Sequence, residues 1–345
     1  MFIGMLLAVL SGVFLGVCFL PMRYMTKFPW ENTWFVWVIS GCLIFPPIIA
    51  WLTIPSIFQV LAQVGLRLNL IMLAVGLVAG MSGICIGRAI GMVGLTLTNS
   101  LSNGMALTVG AFVPLVIQHR EALHGKVGTS LMVGLGLGAL GVVILAVAGS
   151  KRKQESAYMK IDYKGGTRMT AIALTGVVLS ITAGLLTPLQ NIGIAFGGQF
   201  MSVARAHGAS EAFMTFAFYV PYLGTSFVSN GVYCAHLWRK NGTLKQFKAP
   251  GGLRFTSMAV GMAVVWIMGL MFYGWAMPYM KTYGPVIGWP VMLASMNLAS
   301  ASVEYCYGDW KGESLRVLSY GLAALTLSIA MFTYSNLLIQ KLILG

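Results

Sequence analysis

Apolar stretches of membrane-crossing length, separated by short polar turns, repeat along the whole chain. A helix needs roughly 20 consecutive apolar residues to cross the hydrocarbon of a bilayer, so this spacing predicts spanning helices rather than a water-soluble core. Ten are predicted, near 3–22, 32–54, 68–90, 95–118 and 128–148, then 170–195, 211–237, 255–277, 285–307 and 315–340. No interval between them is long enough for a soluble domain.

The longest polar run, 149–168, falls near the midpoint. It holds Lys151, Arg152, Lys153, Lys160, Lys164 and Arg168 against Glu155 and Asp162. Five crossings on each side make the second set start on the opposite face, so the halves are inverted, a plan common in secondary transporters. The predicted fold class is an all-α membrane protein: a first five-helix repeat (1–148), a basic hinge (149–169) and a second five-helix repeat (170–345). Landmarks recur in the same order in both halves: Pro21 and Pro188, Glu31 and Glu211, Gly87 and Gly274, Glu121 and Glu304. Repetition of that kind is the mark of internal duplication.

Composition agrees: 58% of residues are hydrophobic and 9% charged, against about 25% charged in soluble domains. The net charge of +14 does not point to nucleic acid, because the basic residues sit in short loops between apolar runs. Sixteen of the 22 Lys and Arg fall on the hinge side of the predicted topology. By the preference of cations for cytoplasmic loops, the hinge is expected inside and both termini outside. The segment 1–22 lacks a basic start and reads as the first helix. Cys18, Cys42, Cys85, Cys234 and Cys306 have no metal or disulfide spacing and read as packing residues. Pro46, Pro47, Pro114, Pro188, Pro221 and Pro290 fall inside the predicted helices and are expected to kink them. Glycines from Gly80 to Gly94 and from Gly134 to Gly141 predict close helix packing.

Mid-helix polarity comes from amides, not carboxylates. Asn99 and Asn103 share a face of the fourth predicted helix, and Trp289, Asn297, Ser300 and Glu304 a face of the ninth. Asn191, with Gln190 beside it, continues a polar stripe in the sixth. An amide offers two donors and two acceptor sites and can grip adjacent hydroxyls, so a polyol is a natural ligand. The competing role is hydrogen bonding between helices. Trp266 and Trp289 are candidates to stack on a sugar ring, with core packing as the alternative. Catalytic motifs are absent, which argues against an enzyme, and no cofactor or metal is implied. His119 and His236, at helix ends, are expected to be solvated.

Three stretches carry a family resemblance. Trp30-Glu-Asn-Thr-Trp34 enters the second helix after a basic turn, Gly110-Ala-Phe-Val-Pro114 lies late in the fourth, and Gly288-Trp-Pro290 is followed by Gly308-Asp-Trp-Lys-Gly312. Together with the length, helix number and basic central loop, these resemble the L-rhamnose–proton symporter family, within the drug/metabolite transporter superfamily. The resemblance implies ten helices in two inverted halves, and uptake of L-rhamnose or a similar deoxysugar with a proton across the bacterial inner membrane. The partners so implied are a sugar, protons and the lipid bilayer. The candidate sugar contacts are Asn99, Asn103, Gln190, Asn191, Trp266, Trp289 and Asn297. The candidate proton-coupling residues are Glu304, two turns from Asn297 on one face, and Glu31, expected beside Arg23 and Lys27. An exporter or facilitator of another metabolite on the same fold is the alternative, with a membrane-embedded enzyme a more distant one. Oligomeric state and stoichiometry are not encoded in these features.

Overall fold

The computed structural model describes residues 2–93, 95–158 and 166–344. Helices form wherever the apolar runs predict them, and the described residues contain no strand. The first half comprises α1 (Phe2–Val17), α2 (Trp30–Val38), α3 (Phe45–Thr53), α4 (Ile57–Val64), α5 (Leu66–Val93), α6 (Leu95–Gln118) and α7 (Gly125–Tyr158). The second comprises α8 (Gly166–Leu186), α9 (Leu189–Phe196), α10 (Gly198–Ala206), α11 (Phe216–Asn241), α12 (Gly252–Tyr279), α13 (Gly284–Cys306) and α14 (Gly312–Leu344). Among the described residues, nine stretches are both long and apolar enough to span a membrane.

The sequence predicts ten, and the difference is α11, which stands where the seventh helix was expected. At 26 residues it is about 39 Å long at 1.5 Å per residue, so length is not what sets it apart. Its polar residues are committed to another helix. Ser226 Oγ donates to Gly76 O at 2.8 Å and Asn230 Nδ2 to Gly80 O at 2.8 Å, both on α5. A Cβ at Gly76 would sit 2.1 Å from Tyr222 O, so the glycine is what lets the two backbones approach. Hydrogen bonds between helices replace apolar surface here, as small and polar residues do inside bilayers. The helix also starts later than expected. Glu211 lies in the turns before it and pairs with Arg205 at 2.6 Å rather than opening the helix.

Prolines explain the other interruptions. Pro46 and Pro47 lack amide hydrogens and clash with the preceding turn, and the π-helical stretch Ile39–Ile44 that leads into them absorbs the mismatch. Pro188 separates α8 from α9. Pro21 marks the matching break after α1, in the 3-10 turn Leu20–Tyr24. Hydroxyls within the helices bond back to carbonyls four residues earlier, as Thr187 Oγ1 does to Ala183 O at 2.8 Å.

The helices pack in a crossed pattern. α1 lies against α12 and α13, while α8 lies against α5 and α6. α6 meets α13, and α7 meets α14. The two ends of the bundle are distinct. Arg23, Arg152, Glu304 and Asp309 gather at one end. At the other, Gln118 Nε2 donates to Ala195 O at 3.0 Å and His119 Nε2 to Thr282 O at 2.9 Å. Gly4 packs on Ala276 and Tyr279 at this second end, and Ile339 lines a depression there with Glu121 and Tyr283. The hinge is helical at 149–158, as the end of α7, and from Gly166. Its Lys160, Asp162 and Lys164 lie outside the described residues.

Candidate functional site

A cavity of about 260 Å³ opens between α1, α6, α7, α13 and α14 at the end of the bundle that carries Arg23 and Arg152. Asn99, Asn297 and Ser300 supply amide and hydroxyl groups to its wall, and Phe19 and Trp310 supply aromatic surface. Arg23, Arg152, Glu304 and Asp309 surround its mouth. This mixture of apolar wall and a few converging polar groups is typical of a small-molecule site, near the lower end of the usual size of about 300 Å³.

The mouth is built by one turn. α13 ends in a left-handed Gly308 at φ 72°. Asp309 N–H returns to Glu304 O at 3.1 Å, and Gly308 N–H to Tyr305 O at 2.9 Å. These two bonds close a Schellman motif, which an L side chain at Gly308 would strain. The turn delivers Asp309 to Arg23, whose two guanidinium nitrogens donate at 2.7 and 3.1 Å. It also sets Trp310 under the Arg152 guanidinium, 4.5 Å from the ring centroid. Arg152 Nη1 donates to Glu304 Oε2 at 2.9 Å. Lys151 on α7 pairs with Glu313 on α14. Three ion pairs thus bridge α7, α13, α14 and the end of the first helical segment.

Above the cavity lies a hydrogen-bonded seal. Asn103 Nδ2 donates to Asn297 Oδ1 at 3.2 Å, and Asn297 Nδ2 to Leu293 O at 2.9 Å. One turn further, Trp289 Nε1 donates to Ala106 O at 2.8 Å. Beyond it Asn191 Nδ2 donates to Gly110 O and to Pro285 O, each at 2.8 Å, and Tyr273 donates its hydroxyl to Asn191 Oδ1. On the far side, a second cavity of about 970 Å³ is lined by Gln118, His119, Met201, Arg205, Lys281 and Pro285. The order along α6, from Asn99 through Asn103 and Gly110 to Gln118, spans about 28 Å at helical rise and joins cavity, seal and cavity in sequence.

The structure therefore brings Asn99, Asn103, Asn297 and Glu304 into one neighbourhood. Trp289, 2% exposed, and Asn191 belong to the seal. Gln190 lies near the Tyr219 hydroxyl, which donates to Leu270 O at 3.4 Å. Trp266 packs edge-on against Trp37 at 5.1 Å, and Trp37 in turn meets Phe19 of the cavity wall at 5.0 Å. Glu31 departs from its expected setting. Its Oε1 accepts from Asn241 Nδ2 at 2.9 Å and Thr243 Oγ1 at 2.7 Å, while Arg23 is committed to Asp309. His119 is buried, not solvated, and stacks on Tyr283 at 4.1 Å between ring centroids.

Sequence reasoning missed Arg23, Arg152, Asp309 and Trp310 as site residues. In the sequence Arg23 and Arg152 stand out only as loop charges that set orientation, and Asp309-Trp310 only as part of a family motif. A usable signal was present: few acidic residues exist in the chain, and Glu304, Asp309 and Glu313 cluster within ten positions on the predicted basic face.

Comparison with known proteins identifies the family. The chain is 19% identical over 316 residues to the L-rhamnose-proton symporter of Yersinia pestis (strain Pestoides F), covering 88% of each chain. It is 19% identical over 316 residues to that of Yersinia pseudotuberculosis serotype O:1b (strain IP 31758), with the same coverage. To the symporter of Yersinia pestis bv. Antiqua (strain Antiqua) it is 20% identical over 312 residues. The L-rhamnose-proton symport protein family matches residues 1–335. With nearly the whole length matched and the apolar helices and cavities of a multi-pass membrane protein in place, the chain belongs to this family of transporters.

Proposed function

We propose that this protein is a proton-coupled symporter that imports L-rhamnose or a similar deoxysugar across the bacterial inner membrane by alternating access. The observation that carries the reading is the stacked order of cavity, seal and cavity along α6 and α13. Two cavities opening to opposite ends, parted by a layer of hydrogen-bonded side chains, are what a carrier needs to expose one site to each side in turn. The names borne by the Yersinia relatives support a sugar and a proton as the cargo.

The packing supports two inverted repeats, 1–148 and 170–345, joined by the hinge 149–169. Exchanging the halves carries the α1 contacts with α12 and α13 onto the α8 contacts with α5 and α6. The α6–α13 and α7–α14 pairs map onto themselves. On this reading α11 is the seventh of ten spans. Its polar residues face α5 and are already satisfied, so a bilayer tolerates it. With the Lys- and Arg-rich end cytoplasmic, the 260 Å³ cavity faces inward and both termini are periplasmic.

Asn99, Asn103 and Asn297 grip the sugar. The Asn103–Asn297 bond is exchanged for bonds to ring hydroxyls, so no amide is left buried and unpaired, a state that costs about 1–3 kcal/mol. Glu304 takes the proton. A neutral Glu304 surrenders its ion pair with Arg152, which loosens the α7–α13 mouth and links proton occupancy to access. Trp289 and Asn191 close the opposite path in this state, and Gln190, Trp266 and Glu31 hold the surrounding helices.

A thermal-shift screen of monosaccharides on purified protein tests the substrate class. Ligand that binds the folded state raises the melting temperature with concentration. L-Rhamnose is expected to do so. Stabilisation by non-sugar metabolites and by no deoxysugar would contradict the reading.

A further inference from the structure

Trp310 is 3% exposed, and its indole nitrogen is buried with no acceptor from the protein. Five other buried side-chain atoms share that condition among the described residues: Trp30 Nε1, Trp37 Nε1, Thr98 Oγ1, Ser295 Oγ and Asn336 Nδ2. None of those five residues lines the 260 Å³ cavity, whereas Trp310 does. A buried N–H left without a partner costs about 1–3 kcal/mol, so such groups are usually satisfied. The Schellman turn at Gly308 fixes the backbone just before Trp310. The ring itself is held by the Arg152 guanidinium over one face.

We propose that Trp310 is a specificity-determining substrate contact: its indole N–H, covered in this state, is uncovered when the Arg152–Glu304 mouth loosens and then donates to one ring hydroxyl of the bound sugar. The inference rests on the sugar reading above and deepens it. The unpaired donor selects for an acceptor oxygen at one position of the ligand. Sites that hydrogen-bond a substrate hydroxyl reject the analogue lacking it, because the site's own polar group is then stranded. The same ring carries Arg152, so a sugar seated on Trp310 bears on the guanidinium that holds Glu304. This offers a direct route from sugar occupancy to the proposed proton acceptor.

The test compares binding of L-rhamnose and its singly deoxygenated analogues to the parent and to Trp310→Phe, which keeps an aromatic ring and removes the donor. Trp310→His, which restores a ring N–H, is the second variant. The parent is expected to bind one analogue about tenfold more weakly than L-rhamnose. Trp310→Phe should bind L-rhamnose and that analogue alike, while its penalties for the other analogues stay as in the parent. Trp310→His should recover part of the discrimination, and carries the comparison if Trp310→Phe does not fold. An unchanged pattern of penalties in the variants would overturn the proposal and leave the sugar reading intact. A parent that binds neither L-rhamnose nor any analogue would overturn both.

Discussion

Asn103 on α6 and Asn297 on α13 meet amide to amide, Nδ2 to Oδ1 at 3.2 Å. Asn297 also lines the cavity beneath. The pair roofs this compartment and stands between it and the second cavity. In the proposed cycle this bond holds the closed state and is exchanged for bonds to the sugar on loading, which would link occupancy to access.

Removing either amide should therefore weaken sugar binding without unfolding the bundle. Asn297→Ala is expected to lower L-rhamnose affinity by about tenfold or more, the loss of a hydrogen bond worth about 1–3 kcal/mol. The double variant with Asn103→Ala should bind more weakly than either single variant, because each amide makes its own bond to the sugar in the loaded state. Equilibrium binding and melting curves check both statements. Parent-like binding in both single variants would make the pair a helix-to-helix bond only.

The two candidate coupling glutamates should separate. Glu304→Gln keeps shape and hydrogen bonding but cannot titrate, so pH-driven accumulation should be lost while sugar exchange at equal concentrations continues. Glu31 accepts from Asn241 and Thr243, which tie the start of α2 to the turn after α11. Glu31→Gln should retain accumulation, and Glu31→Ala should lower the melting temperature. Accumulation that survives Glu304→Gln would place coupling elsewhere.

The turn at Gly308 offers a third check. A non-glycine residue in the left-handed region costs roughly 1–2 kcal/mol. Gly308→Ala is expected to melt slightly earlier than the parent yet lose most transport, because the turn places Asp309 on Arg23 and Trp310 in the cavity. Transport that falls only in proportion to the loss of folded protein would show that the turn has no role in the site.

Orientation is open to labelling. Cys306 is exposed in the parent, so the background carries Cys306→Ser. In intact cells a membrane-impermeant maleimide should reach Cys at Lys126→Cys and miss Lys248→Cys, both positions being exposed on opposite ends of the bundle. The reverse pattern would invert the proposed topology.

All ten expected spans are legible from apolar run length, because a bilayer imposes a simple demand on each spanning helix, and nine of them are long and apolar enough to span among the described residues. The helix at 216–241 is less apolar because Ser226 and Asn230 satisfy their polarity against α5, which a one-dimensional pattern does not display. Asn297 stands out in the sequence as a lone amide among apolar neighbours, and it lines the cavity while bonding Asn103 and Leu293 O. Trp289 and Asn191 stand out equally, yet they bond to Ala106 O and Gly110 O in the seal. Composition cannot tell a residue that waits for a ligand from one already paired with a distant backbone carbonyl. Arg152 and Trp310 were hidden for a different reason: their meeting with Glu304 depends on α7 continuing past 148, beyond the apolar run, as far as Tyr158.

The most direct test is uptake of radiolabelled L-rhamnose into proteoliposomes under a proton gradient directed inward. The account predicts accumulation above the external concentration, collapse on adding a protonophore, and proton entry on adding L-rhamnose without a gradient. Uptake that only equilibrates and ignores the gradient, or no L-rhamnose movement at all, would contradict it.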